Sequence, residues 1–259
     1  MEQVSKNQEV KYFLVKIIFS IVLMILFHFS LLANDQPNFI EGEELYVLAP
    51  SGLTLRAMPN KNAQSLTIVE YGSRVIVLSQ PESKVHEQIE WVEGKWLLVE
   101  YDGIQGYMFD GYLSNLDLPT YDFEFTQSDM ELTYPLISWT ECKYDIENVD
   151  TLTKGNINVL KYNYNNGVVL EKVLSNSYHK IDLVLNDVRV MDAYHLLFSM
   201  LSTKNANKIF KDQSIFIEDS LGELSEVKIN LESPVKIKKV GDGKVKISIV
   251  SSNYLCALE

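Results

Sequence analysis

The sequence predicts a mainly β protein of two domains, a small β-barrel followed by an α+β domain in which one amphipathic helix packs on an antiparallel sheet. Short apolar runs bounded by Gly, Pro and Asn recur about every 8 to 12 residues between Leu45 and Leu116, which is typical of a small barrel or sandwich. Strand-like runs resume after Leu136, and a 3.6-residue period appears between Val190 and Leu201. A chain of 259 residues is long enough for two such domains.

Composition and charge exclude several classes of protein. A hydrophobic fraction of 46% and a charged fraction of 22% are those of a globular chain. Thirty-five acidic against 23 basic residues give a net charge of -12, which phosphate backbones repel, so no nucleic acid partner is expected. Two cysteines are too few for a disulfide-rich miniprotein or a four-cysteine zinc site.

Residues 1–33 have the layout of a secretory signal. Lys6, Lys11 and Lys16 precede an uncharged apolar run, Ile17 to Ala33, that ends on a small residue. The same segment also fits an uncleaved anchor over residues 12–33, since about 20 apolar residues span a bilayer. In both cases the basic flank predicts an extracytoplasmic protein, periplasmic or secreted, which meets the membrane only through this N-terminal segment.

Residues 34–44 are polar and are interpreted as a linker to the barrel. Within the barrel, Asp102-Gly103 lies between two apolar segments and predicts a tight hairpin, because glycine adopts positive φ without a Cβ clash. Arg56 next to Pro59 is expected to pin loop carbonyls with its guanidinium rather than to bind anions.

Three ordered blocks within residues 45–116 resemble bacterial SH3 domains. They are Gly52–Pro59 (GLTLRAMP), Glu70–Val75 (EYGSRV) and Lys95–Leu113, which contains KWLLV, DGIQGYM and YL. The resemblance implies a small SH3-like β-barrel that binds a cell-wall peptide or a segment of an envelope protein. The chain departs from the family pattern at Tyr107, where tryptophan is usual, and in a longer, more acidic loop at Gln80–Glu90.

Aromatic residues of the later barrel strands are the candidate ligand-binding surface. Strand alternation prevents all of them from being core residues. Trp96 and Tyr107 are assigned to the core, whereas Trp91, Tyr101 and Tyr112 are the ligand-binding candidates, because exposed aromatic rings give rigid amphipathic contact area.

Residues 117–135 are predicted to connect the barrel to an α+β domain of unknown family at residues 136–259. In this domain Asn165-Asn166-Gly167 predicts a hairpin between two strands. The helix that begins near Val190 is predicted to end at Asn205–Asn207.

Lysines alternate with Val and Ile near the end of the second domain. Lys236, Lys238, Lys244 and Lys246 flank a turn at Gly241–Gly243 and are predicted on the solvent face of a hairpin. Such lysines usually form a solvated face or protect an edge from pairing. The functional alternative is a docking surface for an anionic partner.

The cysteine and histidine residues do not form a sequence pattern that predicts an active site. Around Cys142 the pattern of a cell-wall cysteine peptidase is missing, so no catalytic residue is assigned. Cys142 and Cys256 form either one disulfide in an oxidising compartment or two separate buried thiols. His86, His179 and His195 lack the spacing of a zinc site, so no metal and no cofactor are expected. His195 is expected at the surface or boundary of its helix.

These observations favour a non-catalytic extracytoplasmic bacterial protein with an SH3-like binding module. Two alternatives remain open at this stage. One is a cell-envelope enzyme whose active site lies in residues 136–259, and the other is a structural spacer or interaction protein.

Overall fold

The computed structural model describes residues 39–79, 87–89, 92–118, 132–201, 204–220, 222–241 and 243–252. The predicted leader at 1–33, the ligand candidate Trp91 and the disulfide candidate Cys256 lie outside the described residues. In the described part of the chain, no helix is long and apolar enough to cross a bilayer.

The N-terminal module is an antiparallel β structure. Its strands are β1 (Glu44–Val47), β2 (Leu53–Arg56), β3 (Ser65–Val69), β4 (Arg74–Ser79), β5 (Glu87–Ile89), β6 (Val92–Gly94), β7 (Trp96–Tyr101), β8 (Ile104–Phe109) and β9 (Leu113–Ser114), with a 3-10 turn at Asp110–Tyr112 before β9. Seven strands form one sheet in the order β3-β2-β8-β7-β4-β1-β9, and β5 and β6 form a separate hairpin.

Alternation along the strands builds the core of this module. Leu97 and Val99 of β7 and Met108 of β8 point to the same side and are almost fully buried. They join a cluster that includes Leu45 and Leu55. Phe39 belongs to the same cluster, so ordered packing begins before β1.

The predicted hairpin at Asp102-Gly103 is confirmed. Tyr101 is paired with Ile104, and the two residues between them have positive φ angles of 49° and 76°. Both central residues of a type I′ turn need positive φ, which Asp-Gly adopts readily. The turn therefore fixes the register of β7 against β8.

Among its described residues, the C-terminal module is a long antiparallel sheet with three helices. The helices are α1 (Thr133–Lys143), α2 (Val190–Ser199) and α3 (Lys204–Asp212). The strands are β10 (Ile146–Lys154), β11 (Ile157–Tyr164), β12 (Val169–Leu174), β13 (Tyr178–Asn186), β14 (Ser214–Glu218), β15 (Leu224–Ile229), β16 (Val235–Gly241) and β17 (Lys244–Ser252). They pair in the order β10-β11-β12-β13-β17-β16-β15-β14.

The structure confirms the mainly β fold class and corrects the number of helices. The predicted helix is present as α2, but it ends at Ser199, and Asn205–Asn207 lie inside α3 rather than ending a helix. Buried Ala206 and Phe210 are four residues apart on the apolar side of α3, and that side packs into the core. The helix α1 was not predicted, although its buried residues have a helical spacing.

Both predicted hairpins of the C-terminal module are present. The strands β11 and β12 pair antiparallel across Asn165–Gly167, and β16 pairs antiparallel with β17 as far as Gly241 and Lys244. The lysines of that second hairpin alternate with buried Val235, Ile237, Val245 and Ile247, as expected for a solvent face.

One hydrophobic cluster joins the two modules. Val92, Trp96, Phe109 and Leu116 of the N-terminal part pack in the same cluster as the buried faces of α1, α2, α3 and the long sheet. One face of β7 and β8 thus lines the small core, and Trp96 and Phe109 on the other face pack into the larger core.

Candidate functional site

The register of the β7–β8 hairpin determines which side chains face away from the small core. Leu98 is paired with Tyr107 and Glu100 with Gln105, on the face opposite to Leu97 and Val99. Arg56 of β2 is paired with Tyr107 on its other side. This surface, made by Arg56, Leu98, Glu100, Gln105 and Tyr107, is called the hairpin face.

The hairpin face combines an apolar centre with polar edges. Leu98 and Tyr107 are adjacent and half-buried, so part of each side chain is accessible. Gln105 donates a hydrogen bond from Nε2 to Glu100 Oε2 at 3.2 Å, which sets one polar edge. Arg56 donates from Nη1 to the Ala63 carbonyl at 2.8 Å, which confirms its predicted role as a loop pin.

A second carboxylate lies at the Trp96 end of the face. The indole Nε1 of Trp96 donates to Glu87 Oε2 at 2.6 Å. Lys61, from the loop between β2 and β3, approaches the other oxygen of Glu87 at 4.0 Å. Glu87 therefore links β5, Trp96 and that loop at this end of the face.

Trp96 and Phe109 lead from this surface into the junction between the modules. Their rings meet edge to face with centroids 5.9 Å apart. Phe109 contacts Tyr112 at 6.1 Å, and Tyr112 contacts His195 of α2 at 5.3 Å. Edge-on and tilted aromatic contacts at these distances are favourable. A continuous path of rings thus connects β7 to the C-terminal module.

Arg189 is the main polar contact of the junction. It precedes α2, and its buried guanidinium donates from Nη2 to the carbonyls of Asp110 (3.0 Å) and Leu113. The same Nη2 donates to Asp192 Oδ1 at 2.8 Å, and Nη1 lies 3.8 Å from Asp110 Oδ2. Asp192 also accepts a hydrogen bond from the Arg189 backbone N–H at 2.8 Å, which caps the helix.

Burial sets the protonation of these groups. Burial raises the pKa of Asp110, although the Arg189 charge and the N–H of Lys95 oppose this shift. Burial would lower the pKa of Arg189, but Asp192 and Asp110 raise it. The guanidinium is therefore charged, and its two carboxylate partners satisfy it inside the protein.

His195 lies beside this ion cluster and carries no polar contact of its own. It is 6% exposed, so the expectation of a surface position is wrong; its position on α2 faces the junction. Within the described residues neither ring nitrogen has a hydrogen-bond partner. Burial lowers the pKa of His195 to about 4, so the ring is neutral at pH 7.

Further polar contacts fasten the modules at Asp117, just after β9. The indole of Trp139 in α1 donates to the Asp117 carbonyl at 3.1 Å, and Lys143 forms an ion pair with its carboxylate. Burial opposes ionisation of Asp117, but hydrogen bonds from Lys143 and Tyr46 lower its pKa.

The predicted ligand residues do not form one surface among the described residues. Tyr101 ends β7 at the hairpin turn and packs against the small core. Tyr112 follows the far end of β8 and contacts both cores. The two ends of β7 are about 17 Å apart at about 3.4 Å per residue. Trp91 lies outside the described residues, and all three stay predictions.

Trp96 and Tyr107, which the sequence places in the core of the barrel, both lie on the face of β7 and β8 away from the small core. Trp96 is buried as expected, yet it lies in the joint core rather than inside the barrel. Tyr107 is half-buried and packs against the same joint core, on the face of β8 away from the small core. The signal was available in the sequence: counting back from Asp102-Gly103 places 98 opposite 107, on the face away from Val99.

Cys142 is exposed on α1, so the alternative of two buried thiols is wrong for this residue. Cys256, its proposed disulfide partner, lies outside the described residues, and the pairing stays a prediction. In the described part of the chain, no three side chains of His, Cys, Asp or Glu gather as metal ligands.

Comparison with known proteins agrees with the sequence blocks. Residues 51–114 match the family of the bacterial SH3 domain, which covers β2 to β9. No curated protein and no solved structure matches the chain. The N-terminal module is therefore a bacterial SH3 domain, a class that suggests binding of cell wall or peptide.

Proposed function

We propose that the protein is a non-catalytic extracytoplasmic binding protein whose SH3 module holds an extended peptide on the hairpin face. The observation that carries this proposal is the pair Leu98 and Tyr107, adjacent on a bacterial SH3 domain, half-buried and partly accessible, with Tyr107 at the edge of the joint core. Aromatic and aliphatic side chains on a rigid hairpin suit an extended peptide, because little ordering entropy is lost on binding.

The charges around this pair favour a ligand that carries an amino group. Glu87 lies at the Trp96 end of the face, and Glu100 lies at the opposite end beside Gln105. A carboxylate at each end complements an ammonium group of a cell-wall peptide or of a lysine-containing envelope protein segment.

The position of the perturbed groups supports binding rather than catalysis. His195, Asp110 and Arg189 have shifted pKa values, but all three lie at the junction, where His195 is 6% exposed and the side chains of Asp110 and Arg189 are 13% and 10% exposed. A catalytic acid or base has to reach a substrate. These groups instead stabilise the contact between the two modules.

The test is retention on purified cell wall and titration with soluble cell-wall peptides. Tyr107→Ala should weaken binding at least tenfold, because it removes the accessible ring. Tyr134→Ala is the matched control, since Tyr134 is a 64% exposed tyrosine of α1. Equal binding by both variants contradicts the hairpin face. If Tyr101→Ala loses binding and Tyr107→Ala does not, the binding site lies at the tip of the β7–β8 hairpin instead.

The extracytoplasmic location rests on the leader sequence alone and needs its own experiment. N-terminal sequencing of the native protein should begin near residue 34 if the signal is cleaved. A membrane-bound protein that begins at residue 1 supports the anchor. Recovery of the intact chain from the cytosol contradicts the proposed location.

A further inference from the structure

We propose that the outer face of the C-terminal sheet binds a flexible phosphate-bearing polymer of the cell envelope. This surface is separate from the hairpin face and does not depend on the peptide-binding proposal; only the envelope origin of the polymer rests on the proposed extracytoplasmic location. It is called the lysine face and is made by β13, β15, β16 and β17. Its charged residues are Lys180, Lys228, Lys236, Lys238, Lys244, Lys246, Asp182 and Glu226.

Strand alternation places these side chains away from the helices. Their neighbours Ile181, Val227, Ile237 and Ile247 are buried in the core that α2 and α3 cover. The side chains of Lys228, Lys236 and Lys238 are 49%, 47% and 52% exposed. Their ammonium groups are therefore accessible to a partner.

Like charges face one another directly across this surface. Lys238 is paired with Lys246, and Lys228 with Lys236, in adjacent rows of the sheet. Directly opposed like charges destabilise a sheet. Nothing in the core requires lysine at these outward positions, so this arrangement favours a role in binding anions.

Two carboxylates neutralise only part of the positive charge. Glu226 lies 3.3 Å from Lys236 Nζ and 3.4 Å from Lys228 Nζ, and Asp182 lies 2.7 Å from Lys180 Nζ. Burial alone would raise the pKa of each acid, but the lysines lower it, so both are ionised at neutral pH. Six lysines against two carboxylates leave this part of the surface positive.

The sign of this charge contrasts with that of the whole chain, which is -12. The N-terminal module contacts the opposite, helix-covered side of the structure. Layers in a protein are about 10 Å apart, and the Debye length is about 8 Å at physiological salt. Solvent ions therefore screen much of the repulsion between a ligand on the lysine face and acidic residues more than about 10 Å away.

The shape of the surface favours a chain over a flat bilayer. The strands β13, β17, β16 and β15 are consecutive in the sheet. Adjacent strands rotate by 20 to 25°, so the surface twists by roughly 60 to 75° across these four. A flexible polymer can follow that twist, whereas a planar membrane contacts only part of it. Lysine serves as a point charge for phosphate groups.

The test uses sodium polyphosphate as the probe and follows binding by calorimetry at several salt concentrations. The triple variant K236Q/K238Q/K246Q should bind at least tenfold more weakly. Its slope of log K against log salt should be about 2 shallower, since three phosphate contacts are lost. The control K154Q/K208Q/K211Q removes three exposed lysines outside the lysine face and should bind like the wild type.

A charge-preserving triple, K236R/K238R/K246R, separates loss of charge from loss of fold and should retain binding. Equal affinity of the wild type and the glutamine triple overturns the proposal, as does absence of binding at low salt. Binding to phosphatidylglycerol vesicles without binding to polyphosphate assigns the surface to a membrane and overturns it. Salt-sensitive self-association without polyphosphate binding assigns the surface to a second copy and also overturns it.

Discussion

The two modules differ in how far their sequences identify a known family, yet they share one hydrophobic core in the structure. The N-terminal module matches a known family over residues 51–114, whereas no curated protein and no solved structure matches the C-terminal module. The unrecognised module nevertheless provides Arg189, Trp139 and His195, which cover the Trp96 and Phe109 side of the recognised one. The recognised module thus shares a hydrophobic core with residues outside its family match.

Loss of Arg189 is expected to have the largest effect on the joined modules. Arg189→Ala leaves Asp110 and Asp192 buried without their cation. Removing one partner of a buried ion pair destabilises a protein by about 3–5 kcal/mol. Urea unfolding at pH 7 measures this loss. Arg74→Ala is the control, because Arg74 pairs with Glu44 at the surface; it should cost less than about 1 kcal/mol. Similar costs for the two variants would show that the junction does not hold the modules together.

Acid should weaken the junction through His195. The pKa is about 4 in the folded protein against about 6.5 when unfolded, so the unfolded chain takes up the proton first. Stability is thus full above pH 6.5 and falls as the pH approaches 4. The loss between pH 7 and pH 5 is on the order of 2 kcal/mol for this group.

His195→Leu isolates this contribution, because Asp110 acts in the opposite direction. Its raised pKa makes the folded state bind a proton more tightly, so acid favours folding at that residue. The comparison of wild type with His195→Leu at both pH values removes the Asp110 contribution. An identical pH dependence of unfolding in the two proteins would mean that His195 is not buried as a neutral ring.

A substitution on the lysine face is expected to raise the free energy of unfolding by a small amount, whereas Arg189→Ala lowers it. Lys238→Gln removes a like-charge pair with Lys246 and should stabilise the protein by about 0.2–1 kcal/mol. The stabilisation should shrink at high salt, because the repulsion is screened. Thermal melts at low and high salt measure it. Destabilisation by Lys238→Gln would mean that its ion pair with Glu226, at 3.9 Å, outweighs the repulsion.

Local patterns predicted the strands and turns but not the contacts between the modules. Asp102-Gly103 and Asn165–Gly167 were readable because positive φ restricts the residue type. Alternation placed Lys236 and Lys238 outside correctly. Arg189 was missed because its partner carbonyls at Asp110 and Leu113 are 79 and 76 positions away. Nothing in the local sequence distinguishes an arginine before a helix that is buried against distant carbonyls from one that is exposed to solvent.

The candidate binding site was partly predictable for the same reason. The family resemblance identified the barrel, and the hairpin turn fixes which side chains of β7 and β8 face outward. Burial of Trp96 and half-exposure of Tyr107 follow from the C-terminal module, which covers one end of that face. The residues that cover this end belong to the C-terminal module, so the sequence of the barrel alone does not predict the contact.

Native-state hydrogen exchange after a single substitution tests the shared core most directly. Leu170→Ala, in β12 of the C-terminal module, removes a fully buried side chain and should cost about 2–5 kcal/mol. The slowest amides of β7 and β8 should then exchange faster by the same factor as those of β13 and β17. Unchanged exchange in β7 and β8, with faster exchange confined to the C-terminal sheet, would show that the SH3 module folds without its neighbour.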